Sequence, residues 1–326
     1  MITRRSVFAL SLLAVASCRQ PTKRETTANK VKVIGVATLM SHPALDQVRQ
    51  GLTEGLRLSG LEEGRDFRFI DRNASGQTQL TASIAAELAA QAPDLIIPIT
   101  TPMAQAVKAR WHGPIVFGAV TDPVGGGLVA DLSGTHNITG TSDAWPYRAQ
   151  LQLIRRIQPG ARKLAVLFNP GEAASQYGIR EIRRYAPEFK FEIVEYAVSS
   201  TNEVAGAAAL AARSADAIFL SSDNTVIAAV SAALAAAVSA KKALYVGDSG
   251  TVEKGGLAAV SVGYTELGVV TGRLAARVLR GEDRLPIVVA SGSDVYVNTK
   301  AAELMGVTLP KDVIADAKQV FTQIRQ

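Results

Sequence analysis

Cysteine occurs once and histidine three times in 326 residues, and aromatic residues make up only 6% of the chain. A single cysteine excludes an intramolecular disulfide and any Cys-based metal site. His42, His112 and His136 are far apart, with no H-x-x-x-H or H-x-H spacing, so neither a metal nor another cofactor is expected. No G-x-x-x-x-G-K-[ST] occurs, so the chain lacks the loop that cradles phosphates in ATPases. Nor does any apolar run reach the roughly 20 residues that a membrane-spanning helix needs. The formal charge of +6 falls to +4 when Arg4 and Arg5 are taken away with the N-terminal segment discussed below. No Lys/Arg-rich stripe with interleaved aromatics follows, so nucleic acid is not an expected partner.

The lone cysteine has an informative position. Arg4 and Arg5 precede an apolar stretch from Val7 to Ala16, then Ser17 and Cys18. This order of charged, apolar and small residues is that of a secretory signal. "VASC" resembles the bacterial lipobox, in which the cysteine becomes the lipid-bearing first residue of the mature protein. The expectation is a signal peptide over 1–17 and a lipidated tether over 18–30, polar enough to stay extended. "TRRSVF" also resembles a twin-arginine signal, which leaves Sec or Tat export open. The protein is expected on the periplasmic or cell-surface side of a membrane, anchored at Cys18.

The rest of the chain is rich in Ala, Val, Leu and Ile, and 48% of all residues are hydrophobic, which suits a soluble α/β core. Short β-branched strands alternate with helices: "KVIGVAT" (32–38), "DFRFIDRNA" (66–74), "DLIIPIT" (94–100) and "PIVFGAV" (114–120) in one half. After residue 142 the pattern restarts with "KLAVLFN" (163–169), "FEIVEYAV" (191–198), "AIFLSSD" (217–223) and "ALYVGD" (243–248). A single Ala-rich helix is expected over 225–240, and short helices are expected near the C-terminus. Such alternation predicts parallel sheets with right-handed crossovers.

In open parallel sheets, ligands bind beyond the carboxyl ends of the strands. Here those ends are uniformly polar. Candidate contacts are Thr38 and His42 after the first strand, Thr100 and Thr101 after the third, and Thr121 and Asp122 after the fourth. In the second half they are Asn169, Glu172 and Ser175, then Asp223 and Asn224, then Asp248 and Ser249. Helix N-termini at these ends offer backbone N–H groups for a carboxylate. Asp223, Asp248 and Glu172 offer partners for an ammonium group. The set suits a small zwitterion, although the same residue types also cap helices routinely. Trp145 and Phe168 are candidates for stacking on a ligand ring, or equally core residues.

Two further strings invite enzymatic readings. "GDSG" (247–250) copies the nucleophile motif of trypsin-like proteases, but that chemistry also needs a His base and a buried Asp orienting it, and those proteases are β-barrels whereas this motif ends an α/β strand. "VGGGL" (124–128) lacks the G-x-G-x-x-G of a dinucleotide site.

"SHPALDQVRQGLTEGL", "TTPMAQAV", "FGAVTDPVGGGLV", "NITGTSD", "FNPGEAAS", "SSDNTV", "GDSGTVEKGGLAAVSVGYTELG" and "GVTLP" together resemble TrpX-like ABC-transporter substrate-binding lipoproteins, a family often associated with aromatic amino acid uptake. The similarity spans roughly 31–326. It implies a type I periplasmic-binding-protein fold with two Rossmann-like lobes joined by three crossovers. The implied first lobe is 31–142 plus 264–283, and the second is 143–263 plus 284–326. It also implies a non-enzymatic monomer that closes on a small solute, an amino acid by this resemblance, and delivers it to a permease served by a separate ATPase. The alternative within the same fold is a sensory protein that signals its ligand to a membrane receptor.

Overall fold

The computed structural model describes residues 30–325; the expected signal peptide, Cys18 and the expected tether as far as residue 29 lie outside them. The first half begins with β1 (Lys32–Thr38), α1 (Pro43–Leu58), β2 (Phe67–Asn73), α2 (Thr81–Ala90) and β3 (Leu95–Ile99). It continues with α3 (Thr101–Arg110), β4 (Ile115–Phe117) and β5 (Ile138–Ser142). The second half contains α4 (Tyr147–Ile157), β6 (Lys163–Phe168), α5 (Ala173–Tyr185), β7 (Glu192–Ala197), α6 (Thr201–Ser214) and β8 (Ala217–Leu220). Then come α7 (Asn224–Ala228), α8 (Val230–Ser239), β9 (Ala243–Tyr245), α9 (Ser249–Glu253) and β10 (Ala258–Ser261). The chain ends with α10 (Tyr264–Leu279), β11 (Val288–Val289), β12 (Asp294–Asn298), α11 (Thr299–Met305), α12 (Lys311–Asp316) and β13 (Ala317–Phe321).

Two parallel sheets form two α/β lobes. The first has the order β11-β5-β4-β3-β1-β2 and the second β7-β6-β8-β9. The central strands β3 and β8 are buried along their whole length, as expected of strands covered by helices on both faces. A small sheet, β10-β12-β13, joins the second lobe and pairs β10 antiparallel to β12.

The chain passes between the lobes three times: after β5 at 143–146, after β10 at 262–263, and after β11 at 290–293. The third crossing falls later than the position near 284 implied by the family resemblance. Leu285 and Ile287 are buried in the first lobe's core, and Val288 and Val289 pair with Thr141 and Ser142. The Ala-rich stretch 225–240 is two helices, broken at Ala229, where the backbone leaves helical geometry at φ −111°, ψ 23°. The C-terminal β13 is too polar (AKQVF) to stand out by composition. It forms because β12 offers it a parallel edge.

One contact explains why a helix from late in the chain belongs to the first lobe. α1 and α10 each carry glycines four apart, Gly51 and Gly55 on one, Gly268 and Gly272 on the other. A Cβ on any of them would come within 2.2–2.3 Å of a carbonyl oxygen of the facing helix. The helices therefore meet backbone to backbone, a separation that only glycine permits at those positions.

Candidate functional site

Polar strand ends from both lobes converge on one cleft. Its walls leave about 480 Å³ free of atoms, part of it open to solvent. From the first lobe, His42, Thr100, Thr101 and Thr121 face it. From the second come Asp223, Asn224 and Asp248. These seven are among the residues expected from the strand ends. Thr38, Asp122, Asn169, Glu172, Ser175 and Ser249 do not line it.

Most of those six brace the loops behind the cleft. Glu172 accepts from the backbone N–H groups of Asn224 and Thr225, both at 2.9 Å, and from both their side chains. Asn169 donates its side chain to Thr225 and its backbone N–H to Asp223, while Ser175 accepts from that same N–H. Asp122 accepts from the Gly125 N–H and, across the cleft mouth, from Arg180 at 3.0 Å. Phe168 is half-buried and packs on the second lobe's core.

The carboxylates in the cleft have different surroundings. Asp223 caps α7 by accepting from the Val226 N–H at 2.8 Å, and its other oxygen takes the Asn169 N–H. Burial, with Glu172 nearby, pushes its pKa up to about 6. Asp248 caps α9 through the Thr251 N–H and hydroxyl, both at 2.7 Å. Each therefore performs the capping role that its sequence position allowed, and each still faces the cleft.

A third carboxylate, Asp143, stands in the first crossing and was not among the expected residues. It is buried, and its oxygens accept two neutral hydroxyls, from Thr121 at 3.0 Å and Tyr264 at 3.2 Å, beside its own backbone N–H. Burial raises its pKa. Tyr264, the first residue of α10 just after the second crossing, in turn accepts from the Trp145 indole N–H at 2.9 Å. The signal available in sequence was "TSDAW", a polar strand end like the others. It coincides with the joint between the two halves.

Among the described residues, no Lys or Arg lines the cleft. His42 is held neutral, because burial lowers its pKa more than Asp248 raises it. Its Nδ1 accepts the Ala44 N–H, capping α1, so the ring proton sits on Nε2 and points at the Thr251 hydroxyl 3.1 Å away. That bond crosses between the lobes. So does the pair Thr121 and Ser222, whose hydroxyls are 2.9 Å apart. The lobes are thus closed on one another.

At the same cleft, α3 begins without a side-chain cap. Thr100, its N-cap residue, has φ 89° and ψ 156°, and its buried hydroxyl has no partner. Ala119, also in the lining, has φ 51°. Non-glycine residues in this region are strained and concentrate at ligand clamps. The open helix start, the Thr101 side chain and the free Thr100 hydroxyl make an anion-binding end. Met40, Leu45, Ile227 and Trp145 supply apolar wall.

Residues 33–321 match the family model described as ABC transporter substrate binding protein. A curated relative from Clostridioides difficile (strain R20291), named "Tyrosine-binding protein", is 31% identical over 279 residues, covering 84% of this chain and 81% of the relative. The crystal structure of an ABC domain from Streptococcus pneumonia in complex with L-Trp is 32% identical. It covers 89% of this chain and 100% of its own, with a TM-score of 0.85. The ligand-free, open structure of a Clostridium difficile substrate binding protein with adhesive properties is 30% identical, covering 90% and 100%, with a TM-score of 0.67. At near-equal identity the chain superposes better on the liganded structure than on the open one, which agrees with its inter-lobe bonds.

Proposed function

The chain belongs to the ABC transporter substrate-binding protein family, and from that membership we propose that it captures a free aromatic amino acid between its lobes for a membrane permease. It has the type I periplasmic-binding-protein fold, with two Rossmann-like lobes and three crossings. It is a solute-binding protein of the exported side of the membrane, not an enzyme.

The observation that carries the amino-acid reading is the polarity of the cleft. Three buried aspartates and one uncapped helix N-terminus share the cleft, and no cationic side chain lines it among the described residues. A bare anion would meet repulsion from the aspartates, and a neutral sugar would leave their charge uncompensated. A zwitterion satisfies both ends. The carboxylate binds the first turn of α3 with Thr100 and Thr101. The ammonium binds the carboxylate cluster.

Within that cluster Asp143 is the principal anchor. Asp223 and Asp248 each cap a helix through the N–H group of another residue, whereas Asp143 has two hydroxyls and only its own backbone N–H. A charge so poorly compensated gains most from a cationic partner. The remaining aliphatic and aromatic walls accept the side chain, and the Tyr- and Trp-binding relatives support an aromatic one.

Closure follows from differential affinity: a ligand touching both lobes favours the state in which both can touch it. A permease then reads the closed form, a separate ATPase supplies the energy, and a lipid at Cys18 keeps the monomeric receptor beside them. A thermal-shift screen of residues 19–326 against the twenty amino acids tests the reading. A ligand at one hundred times its Kd stabilises by about 2.7 kcal/mol. L-Trp, L-Tyr and L-Phe should therefore raise the melting temperature by several degrees. A flat response to all twenty refutes the amino-acid assignment.

A further inference from the structure

Trp145 is held in place from two sides. Cβ built on Gly247 would lie 1.9 Å from Cε3, 2.1 Å from Cζ3 and 2.4 Å from Cδ2 of the indole, so the six-membered ring lies directly on the Gly247 backbone. At its other edge Nε1 donates to the Tyr264 hydroxyl, which donates onward to Asp143. Gly247 fixes how far the ring is withdrawn, and Tyr264 fixes its rotation. The ring is nearly buried at 6% exposure, yet it lines the cleft. Of the other large side chains in that lining, Met40, Leu45 and Ile227 are flexible or aliphatic, and the Tyr264 phenol is tied up between the indole and Asp143.

From this arrangement we infer that Trp145 is the residue that selects an aromatic over an aliphatic amino acid, with Gly247 setting the depth of the side-chain subsite. The inference rests on the amino-acid reading above. A rigid indole face offers an aromatic ligand the offset or edge contact that ring quadrupoles favour, and offers a branched aliphatic chain only area. Because Tyr264 links the indole to Asp143, ring and ammonium anchor are held by one hydrogen-bonded chain. This fixes the distance between the ligand's charged end and its ring. Any side chain added at position 247 pushes the indole into the space that the ligand occupies.

Calorimetric titration of L-Trp, L-Tyr and L-Leu into wild type, Trp145→Leu, Trp145→Phe and Gly247→Ala tests this. Wild type should favour the aromatic pair over L-Leu. Trp145→Leu should weaken L-Trp and L-Tyr by roughly three- to tenfold while moving L-Leu less than about twofold. Trp145→Phe retains a ring and should keep most of the preference. Gly247→Ala should weaken L-Trp by more than tenfold, and L-Leu by less. An unchanged aromatic-to-leucine ratio in Trp145→Leu overturns the inference, as does a Trp145→Phe variant that loses as much as Trp145→Leu. Equal binding of all three ligands by wild type overturns the inference but leaves the amino-acid reading standing. Binding of none overturns both.

Discussion

Replacing Asp143 with Asn should change binding and stability in opposite directions. The carboxylate is buried with two hydroxyl partners and no cation, and burial raises its pKa. A carboxyl whose pKa rises on folding binds its proton more readily in the native state. Its charge therefore costs stability in full above the native-state pKa, and that cost shrinks as pH falls below it and vanishes below the unfolded-state value. Asn is nearly isosteric and carries no charge. Thr121 and Tyr264 are hydroxyls, so one can still donate to the amide oxygen and the other can turn to accept from Nδ2. The ligand-free variant should therefore be as stable as wild type at pH 7.5, or more so. Binding should suffer, because the ligand's ammonium loses a buried ionic partner. Breaking a buried pair typically costs about 3–5 kcal/mol, and a loss of about 3 corresponds to more than a hundredfold in Kd. Urea unfolding of the free protein and calorimetry with L-Trp measure the two signs separately. A variant that binds within threefold of wild type refutes the anchor. One that unfolds several kcal/mol more easily shows instead that the carboxylate holds the hinge together.

Other outcomes follow from the same geometry. His42 is neutral when folded, with its pKa lowered from 6.5, so the unfolded chain binds the extra proton and acid destabilises the native state below about pH 6.5. His42→Asn keeps a cap for the Ala44 N–H but cannot titrate, and its stability profile between pH 7.5 and 5.5 should be flatter than that of wild type. Gly268→Ala gains about 1 kcal/mol of helix propensity but places Cβ 2.3 Å from the Val48 carbonyl oxygen. Overpacking against rigid backbone costs about 1–3 kcal/mol or more, so the melting temperature should fall, and a rise would refute the close α1–α10 contact. Cys18→Ser should release into the soluble fraction a protein that otherwise sediments with membranes, and equal retention of both forms would exclude the lipid anchor.

The strand ends were legible because a parallel sheet forces its loops to one edge, and polar residues there have few other reasons to accumulate. His42, Thr100, Thr101, Thr121, Asp223, Asn224 and Asp248 were found in that way. The same rule also collected Glu172, Asn169 and Ser175, because a residue that braces a loop and one that faces a ligand share the same chemistry. Only the direction of the side chain separates them. Asp143, Trp145 and Tyr264 form one unit across two lobe crossings, with the indole and the phenol 119 positions apart in sequence. No local pattern encodes a contact of that separation. The paired glycines of α1 and α10 were visible as letters, but their meaning depends on which two helices the topology brings together.

The claim that most of this depends on is that a zwitterionic aromatic amino acid fills the cleft. Titration of L-tyrosine and L-tryptophan into residues 19–326, followed by isothermal calorimetry at two temperatures, tests it most directly. The account predicts saturable binding of one ligand per chain, with a negative heat-capacity change as the apolar wall closes over the ring. It also predicts that the decarboxylated amines tyramine and tryptamine, which cannot engage the start of α3, bind at least a hundredfold more weakly. Absence of binding by both amino acids, or amines that bind as tightly as their parent amino acids, would contradict it.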